Sequence, residues 1–176
     1  MDTLIRRVMD TELEQILHLQ YLAYESEAQL LGNYDIPPLK QTLNEVRKEF
    51  QDGIFLAAED KQGNIIGSVR GHEKNGTLFV GKLMVHPLFR NRGIGSRLLG
   101  EIEKTTSCSR FELFTSNKSL ENIKLYQKNG YEIFREVQAA PDLTFVFMEK
   151  HITSGVDSLN EMKSFLLFPK RNNRPS

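Results

Sequence analysis

Residues 54–102 read as three extended runs in succession, then a glycine-rich turn, then an amphipathic helix, and few folds accept that order. "IFLAAED", "NIIGSVRGHE" and "TLFVGKLMVHP" have the apolar and β-branched character of strands. "KQGN" and "KNG" between them suit tight hairpins. The antiparallel meander cannot continue once "RNRGIG" leads into a helix along Ile94, Leu98, Leu99 and Ile102. The following strand, "RFELFTSN", is then reached by a crossover, which calls for a mixed sheet.

The rest of the chain arranges itself around this block. Leu4 to Met9 suits a short strand. Thr11 with Glu14 suits a capping box for a helix through Leu13, Ile16, Leu17 and Tyr24, reaching about Gly32-Asn33. "NYDIPP" breaks it, and Leu39, Leu43, Val46 and Phe50 mark a second helix that ends at Asp52-Gly53. Ser119 caps a later helix with Leu120, Ile123 and Tyr126 on one face, stopped by Asn129-Gly130. "YEIFREVQ" and "LTFVFMEKH" are the last two strands, giving the order β-α-α-β-β-β-α-β-α-β-β. Ser158 and Glu161 suit a capping box for a short helix with Leu159, Met162 and Leu166, and "PKRNNRPS" reads as a disordered tail. The expected division is a domain over 1–152 and an extension over 153–176.

Bulk properties exclude several roles. A chain of 176 residues, 39% hydrophobic, fits one domain with a sizeable core. Lys+Arg and Asp+Glu are both 23, a balance that argues against broad nucleic-acid binding. No apolar run approaches the ~20 residues of a membrane span, and "MDTLIRRVMD" lacks a signal peptide's apolar block. The single cysteine, Cys108, cannot form an internal disulfide, which suits a cytoplasmic protein. It reads as a small structural residue or as a reactive thiol. No metal is expected.

The glycine turn carries the chemistry. Gly93 and Gly95 let backbone N–H groups approach a ligand, and a helix start offers unpaired N–H groups at the positive end of its dipole. Arg90, Arg92 and Arg97 add positive charge, so phosphate or pyrophosphate fits. A tight turn with solvated arginines fits the same residues. A P-loop is excluded because no Gly-Lys-Ser/Thr follows, and a dinucleotide fingerprint because Leu98 stands where its third glycine belongs.

"KLMVHP" followed by "RNRGIG" has the form Leu-x-Val-x-Pro, then Arg-x-x-Gly-x-Gly. It resembles motif A of the GNAT superfamily, the acyl-CoA-dependent N-acetyltransferases. "FELFTSNKSLENIKLYQKNGYEIF" resembles motif B of the same family. The resemblance covers roughly Leu4 to Ile152. It implies an α/β (α+β mixed) fold: a twisted mixed sheet of about six or seven strands, mainly antiparallel with one splayed parallel pair, flanked by about four helices.

The resemblance also implies an activity and a site. Acetyl-CoA would donate its acetyl group to an amine acceptor by direct attack, with no metal, no nucleic acid and no membrane involved, and a homodimer left open. Leu83, Met84 and Val85 would offer backbone groups to the pantetheine arm and the thioester carbonyl. Arg90, Asn91, Arg92, Gly93, Ile94, Gly95 and Ser96 would hold the pyrophosphate. Tyr126 would protonate the departing thiolate. Asn122 would bond the pantetheine or pyrophosphate, and Asn117 would order the strand end or the CoA arm, with a plain turn or capping role as its alternative. The position where relatives carry a basic glutamate falls at about Phe79, which accepts no proton. Glu25, Glu27, His72, Glu73, a water chain or an amine arriving neutral are the alternatives. A non-catalytic acyl-CoA-binding module on the same fold is the competing reading.

Overall fold

The computed structural model describes residues 3–152. Strands β1 (Leu4–Arg7), β2 (Ile54–Glu59), β3 (Ile65–Lys74), β4 (Thr77–Val85), β5 (Arg110–Ser116), β6 (Glu132–Ala140) and β7 (Leu143–His151) form one sheet in the order β1-β2-β3-β4-β5-β7-β6. Every neighbouring pair is antiparallel except β4 and β5. Helices α1 (Leu13–Leu31), α2 (Pro37–Lys40), α3 (Leu43–Asp52), α4 (Ile94–Glu103) and α5 (Leu120–Lys128) complete the described fold. The expected helix over 159–166 and the tail lie outside the described residues.

Two cores sandwich the sheet. α1 and α3 press Leu13, Ile16, Leu17 and Val46 onto Phe55, Ala57 and Met84 on one face. α4 and α5 press Ile94, Leu98, Ile102 and Tyr126 onto Val69, Leu78, Phe111 and Met148 on the other. α4 sits close because β3 carries Gly67 beneath it: a Cβ there would stand 3.0 Å from Leu98 Cδ1. The β3–β4 hairpin turns through Asn75 and Gly76, both with positive φ, as a two-residue primed turn requires. Among the described residues no helix covers the α1-side face of β5, β6 and β7. Phe114 and Phe134, 56% and 41% exposed, lie there in ring contact with Phe147.

Three local expectations are corrected. α1 is not capped by Thr11 and Glu14. Asp10–Glu12 form a 3₁₀ turn, and the Glu12 carboxylate accepts from the Met9 N–H at 2.8 Å and from Arg6 at 2.7 and 2.9 Å. Arg6 on β1 captures the carboxylate that fixes the cap. The proline pair does not only break a helix: Pro37 opens the one-turn α2, where its missing N–H costs nothing. Leu39 belongs to α2, while α3 starts afresh at a Thr42–Glu45 capping box. The helices therefore number five among the described residues rather than about four.

Candidate active site

β4 and β5 stay paired for three residues only, Thr77–Arg110, Leu78–Phe111 and Phe79–Glu112. Beyond Phe79 they part: Val80–Val85 pairs with β3 alone and Leu113–Ser116 with β7 alone. A bulge accompanies the parting. Ser68 faces Met84 and Arg70 faces Gly81, so Lys82 and Leu83 together oppose Val69. Lys82 turns into the left-handed region, φ 48°, and such bulges bend a strand away from its partner. Beyond Phe79 the edge of β4 that faces β5 has no strand partner, so the main-chain groups that point outward along 80–85 are ones a ligand can satisfy, except Val85 O, which Arg90 already engages.

The glycine turn closes the open end. Asn91 and Gly93 adopt positive φ, 59° and 77°, and α4 starts at Ile94. The first intrahelical bond runs from the Arg97 N–H to the Gly93 carbonyl, so the N–H groups of Ile94, Gly95 and Ser96 precede it. Space around Gly93 is open for 4 Å from a built Cβ. The turn therefore presents backbone donors at a helix dipole, as an anion requires.

The arginines do structural work. Arg90 Nε and both terminal nitrogens donate to Val85 O, Ser26 Oγ and Ala23 O, which ties the turn to α1. Arg97 donates to Thr3 O at 2.6 Å. Arg92 lies over the Phe89 ring, 5.3 Å from its centre. The anion-binding capacity of this turn thus rests on main chain more than on guanidinium.

Tyr126 projects from α5 into the core beside Tyr131, 7% exposed. Its hydroxyl has no hydrogen-bond partner among the described residues. Burial pushes its pKa up, and the nearby Tyr24 and Glu27 push it further. Tyr24 itself is pushed up to about 12 by burial. Glu27 on α1 accepts a short hydrogen bond from Ser119 Oγ at the start of α5, which bridges the wedge. Ser119 therefore marks the N-cap position of α5 without capping it.

The remaining candidates fall on either side of the wedge. Asn122 makes one long contact, Nδ2 to Thr115 Oγ1 at 3.5 Å. Asn117 extends the β5–β7 ladder: its N–H bonds Thr144 O, and its Oδ1 accepts from the Thr144 N–H. His72 stacks on Phe79 at the paired end of β4, and Glu73 is exposed on the hairpin. Of the candidate bases, Glu27 alone is brought beside Tyr126. Sequence reasoning missed Lys82 and Asn129, whose amide joins α5 to Ser96 at 3.0 Å. Only the glycine before Lys82 hinted at a bulge. Among the described residues no group of His, Cys, Asp or Glu is arranged to hold a metal ion, and no helix is long and apolar enough to cross a membrane.

Residues 51–133 match the family model of the acetyltransferase (GNAT) domain. The chain is 35% identical over 82 residues to acetyltransferase ECA0875 of Pectobacterium atrosepticum, covering 45% of this chain and 57% of that protein. It is 27% identical over 134 residues to the UPF0157 protein YqkA of Bacillus subtilis, covering 76% of this chain and 38% of that one. The chain thus spans 38% to 57% of the length of these curated relatives. In structure it resembles the PaiA N-acetyltransferase of Thermoplasma acidophilum, solved in complex with coenzyme A. The TM-score is 0.70 at 20% identity, over 86% of this chain and 100% of that one. The domain match over residues 51–133 and the likeness in fold both make this chain similar to the GNAT acetyltransferases.

Proposed function

We propose that this protein transfers the acetyl group of acetyl-CoA to a primary amine by direct attack, without an acyl-enzyme. The observation that carries the reading is the β4–β5 wedge, which runs from the unpaired outer edge of β4 beyond Phe79 to the open helix start at Gly93–Ser96. A chain of amides ending in a pyrophosphate matches that sequence of donors. The PaiA relative, similar in fold, was solved with coenzyme A. Residues 1–152 make up the catalytic domain in this reading, and the acetyl donor implies action inside the cell.

The step balances without a cofactor. The amine nitrogen bonds to the thioester carbon while a β4 N–H stabilises the oxygen, a contribution typically worth ~10²–10³ in rate. The C–S bond breaks, and the CoA sulfur takes the Tyr126 proton. The amine's proton leaves to Glu27, directly or through water, since Glu27 is the carboxylate beside Tyr126. Asn122 and the turn 90–96 hold the donor, and Asn117 orders the end of β5. A homodimer would use the exposed phenylalanine face of β5–β7, and sedimentation velocity at micromolar concentration distinguishes it from a monomer.

Phe79 in place of a carboxylate favours one other reading, a non-catalytic acyl-CoA-binding module. Thiol release over a panel of amines, paired with calorimetry of acetyl-CoA, separates the two. Amine-dependent release with binding establishes the transferase. Binding without release establishes the module, and no binding sinks both.

A further inference from the structure

Under α1–α3, beside the β4 bulge, lies a charge arrangement that acetyl transfer does not use and in which one cation is left over. Arg70 of β3 is 4% exposed, with its guanidinium 4.7 Å from the Phe55 ring centre. It donates to Gln20 Oε1 at 2.7 Å, Gln41 Oε1 at 3.0 Å and Glu49 Oε2 at 2.8 Å. Its Nε is buried without an acceptor. Arg70 pairs across the strands with Gly81, and the next residue is Lys82.

Lys82 is half-buried, and it makes no hydrogen bond or ion pair among the described residues. Desolvation holds its ammonium below the usual lysine pKa. Glu49 attracts it and Arg70 repels it. Two cations therefore share one carboxylate, and Arg70 already holds that carboxylate. The left-handed backbone at Lys82 adds a cost of ~1–2 kcal/mol. Burying an unpaired cation is unfavourable, and folding alone gives no reason to combine it with that strain.

The position gives the reason. Pairing with β5 ends at Phe79, so Lys82 stands near the closed end of the wedge. Its charge neighbours, Glu49 and Arg70, place it on the side of α1–α3, away from α4. The strand end 83–85 and the turn 86–93 separate it from the start of α4, so the pyrophosphate does not account for it.

We propose that Lys82, backed by Arg70, forms the subsite for a carboxylate on the acceptor, so that the substrates are amines of amino-acid type rather than simple or cationic amines. The inference rests on the transferase reading and names its acceptor class. A carboxylate gives Lys82 the partner it lacks and relieves the repulsion from Arg70. Removing one charge-assisted hydrogen bond then costs about 10- to 100-fold in affinity.

The test pairs amino acids with their methylamides as acceptors. The wild-type protein is expected to prefer the carboxylate members. Lys82→Gln is expected to raise KM for them about 10- to 100-fold, with little change for the methylamides, and Lys82→Arg to recover much of the loss. Thermal unfolding of Lys82→Gln checks that it folds; the melting temperature should hold or rise, because an unpaired charge has been removed. No carboxylate preference in wild type, or equal losses on both series, overturns the subsite while leaving the transferase standing. If no amine is acetylated, calorimetry with N-acetylglutamate and N-acetylleucine against their methylamides, with CoA present, still decides. Carboxylate-dependent binding lost in Lys82→Gln keeps the subsite and rejects the transfer step, and no such binding rejects the subsite.

Discussion

At the scale of single residues, burial sets what Tyr126 can do. A phenol near pKa ~10 donating to a thiolate of pKa ~8.5 runs uphill by about 2 kcal/mol in water. In the core the phenol's pKa rises further, through desolvation first and the charges of Tyr24 and Glu27 after it. In the proposed reaction the same desolvation would make the departing thiolate more basic, so the proton transfer would keep pace with C–S cleavage. A raised pKa also keeps the proton on oxygen to higher pH, so the acid form persists where an exposed tyrosine would ionise. Tyr126→Phe should lower kcat about 10²–10⁴-fold while the Kd of acetyl-CoA stays within about twofold, because the proposed CoA contacts are to main chain elsewhere. Wild-type kcat should show no alkaline fall up to about pH 10. A fall centred near pH 9, absent in the phenylalanine variant, would show an ionising Tyr126 and remove it as the acid.

At the scale of elements, local signals were read well and long-range ones were not. The three-strand meander, α4, α5 and the Asn129–Gly130 stop depend on neighbours in sequence, and they stand where the residues put them. The Thr11–Glu14 cap failed because Arg6, on another element, engages Glu12. The pairing of Ser119 with Glu27 spans 92 positions and leaves no local trace. The parting of β4 from β5 is likewise invisible to periodicity, since both strands keep their alternation; only the resemblance to a family suggested it. Glu12 provides the test. It is 8% exposed and its carboxyl lies below the usual range, held there chiefly by Arg6. A depressed folded pKa means the stabilisation is present above the unfolded value, ~4.3, and is lost as pH falls through the folded one. Glu12→Gln should cost about 1–3 kcal/mol at pH 7, with the gap to wild type narrowing below about pH 4. Urea unfolding at pH 7 and pH 3 checks it; an equal gap at both would show that the carboxylate charge is irrelevant.

At the scale of the molecule, the sheet is two halves meeting along an imperfect seam. β1–β4 with α1–α4 form one half, and β5–β7 with α5 form the other. Three residue pairs join the strands at one end. Toward the other end the halves touch through Glu27 with Ser119, Asn129 with Ser96, and the side chains of the α4–α5 core. A ligand lying in the wedge bonds to β4 on one side and packs on β5 and α5 on the other, so its binding energy also becomes cohesion between the halves. Acetyl-CoA at about 100 times its Kd should add ~2.7 kcal/mol to stability, about 5–10 °C in melting temperature for a domain of this size. The gain should be local. Amide hydrogen exchange should slow at 80–85, 94–97 and 113–116, with β1 and β2, remote from the seam, left nearly unchanged. Protection centred on β1 and β2, or a melting temperature indifferent to acetyl-CoA, would mean that the wedge is not where the donor lies.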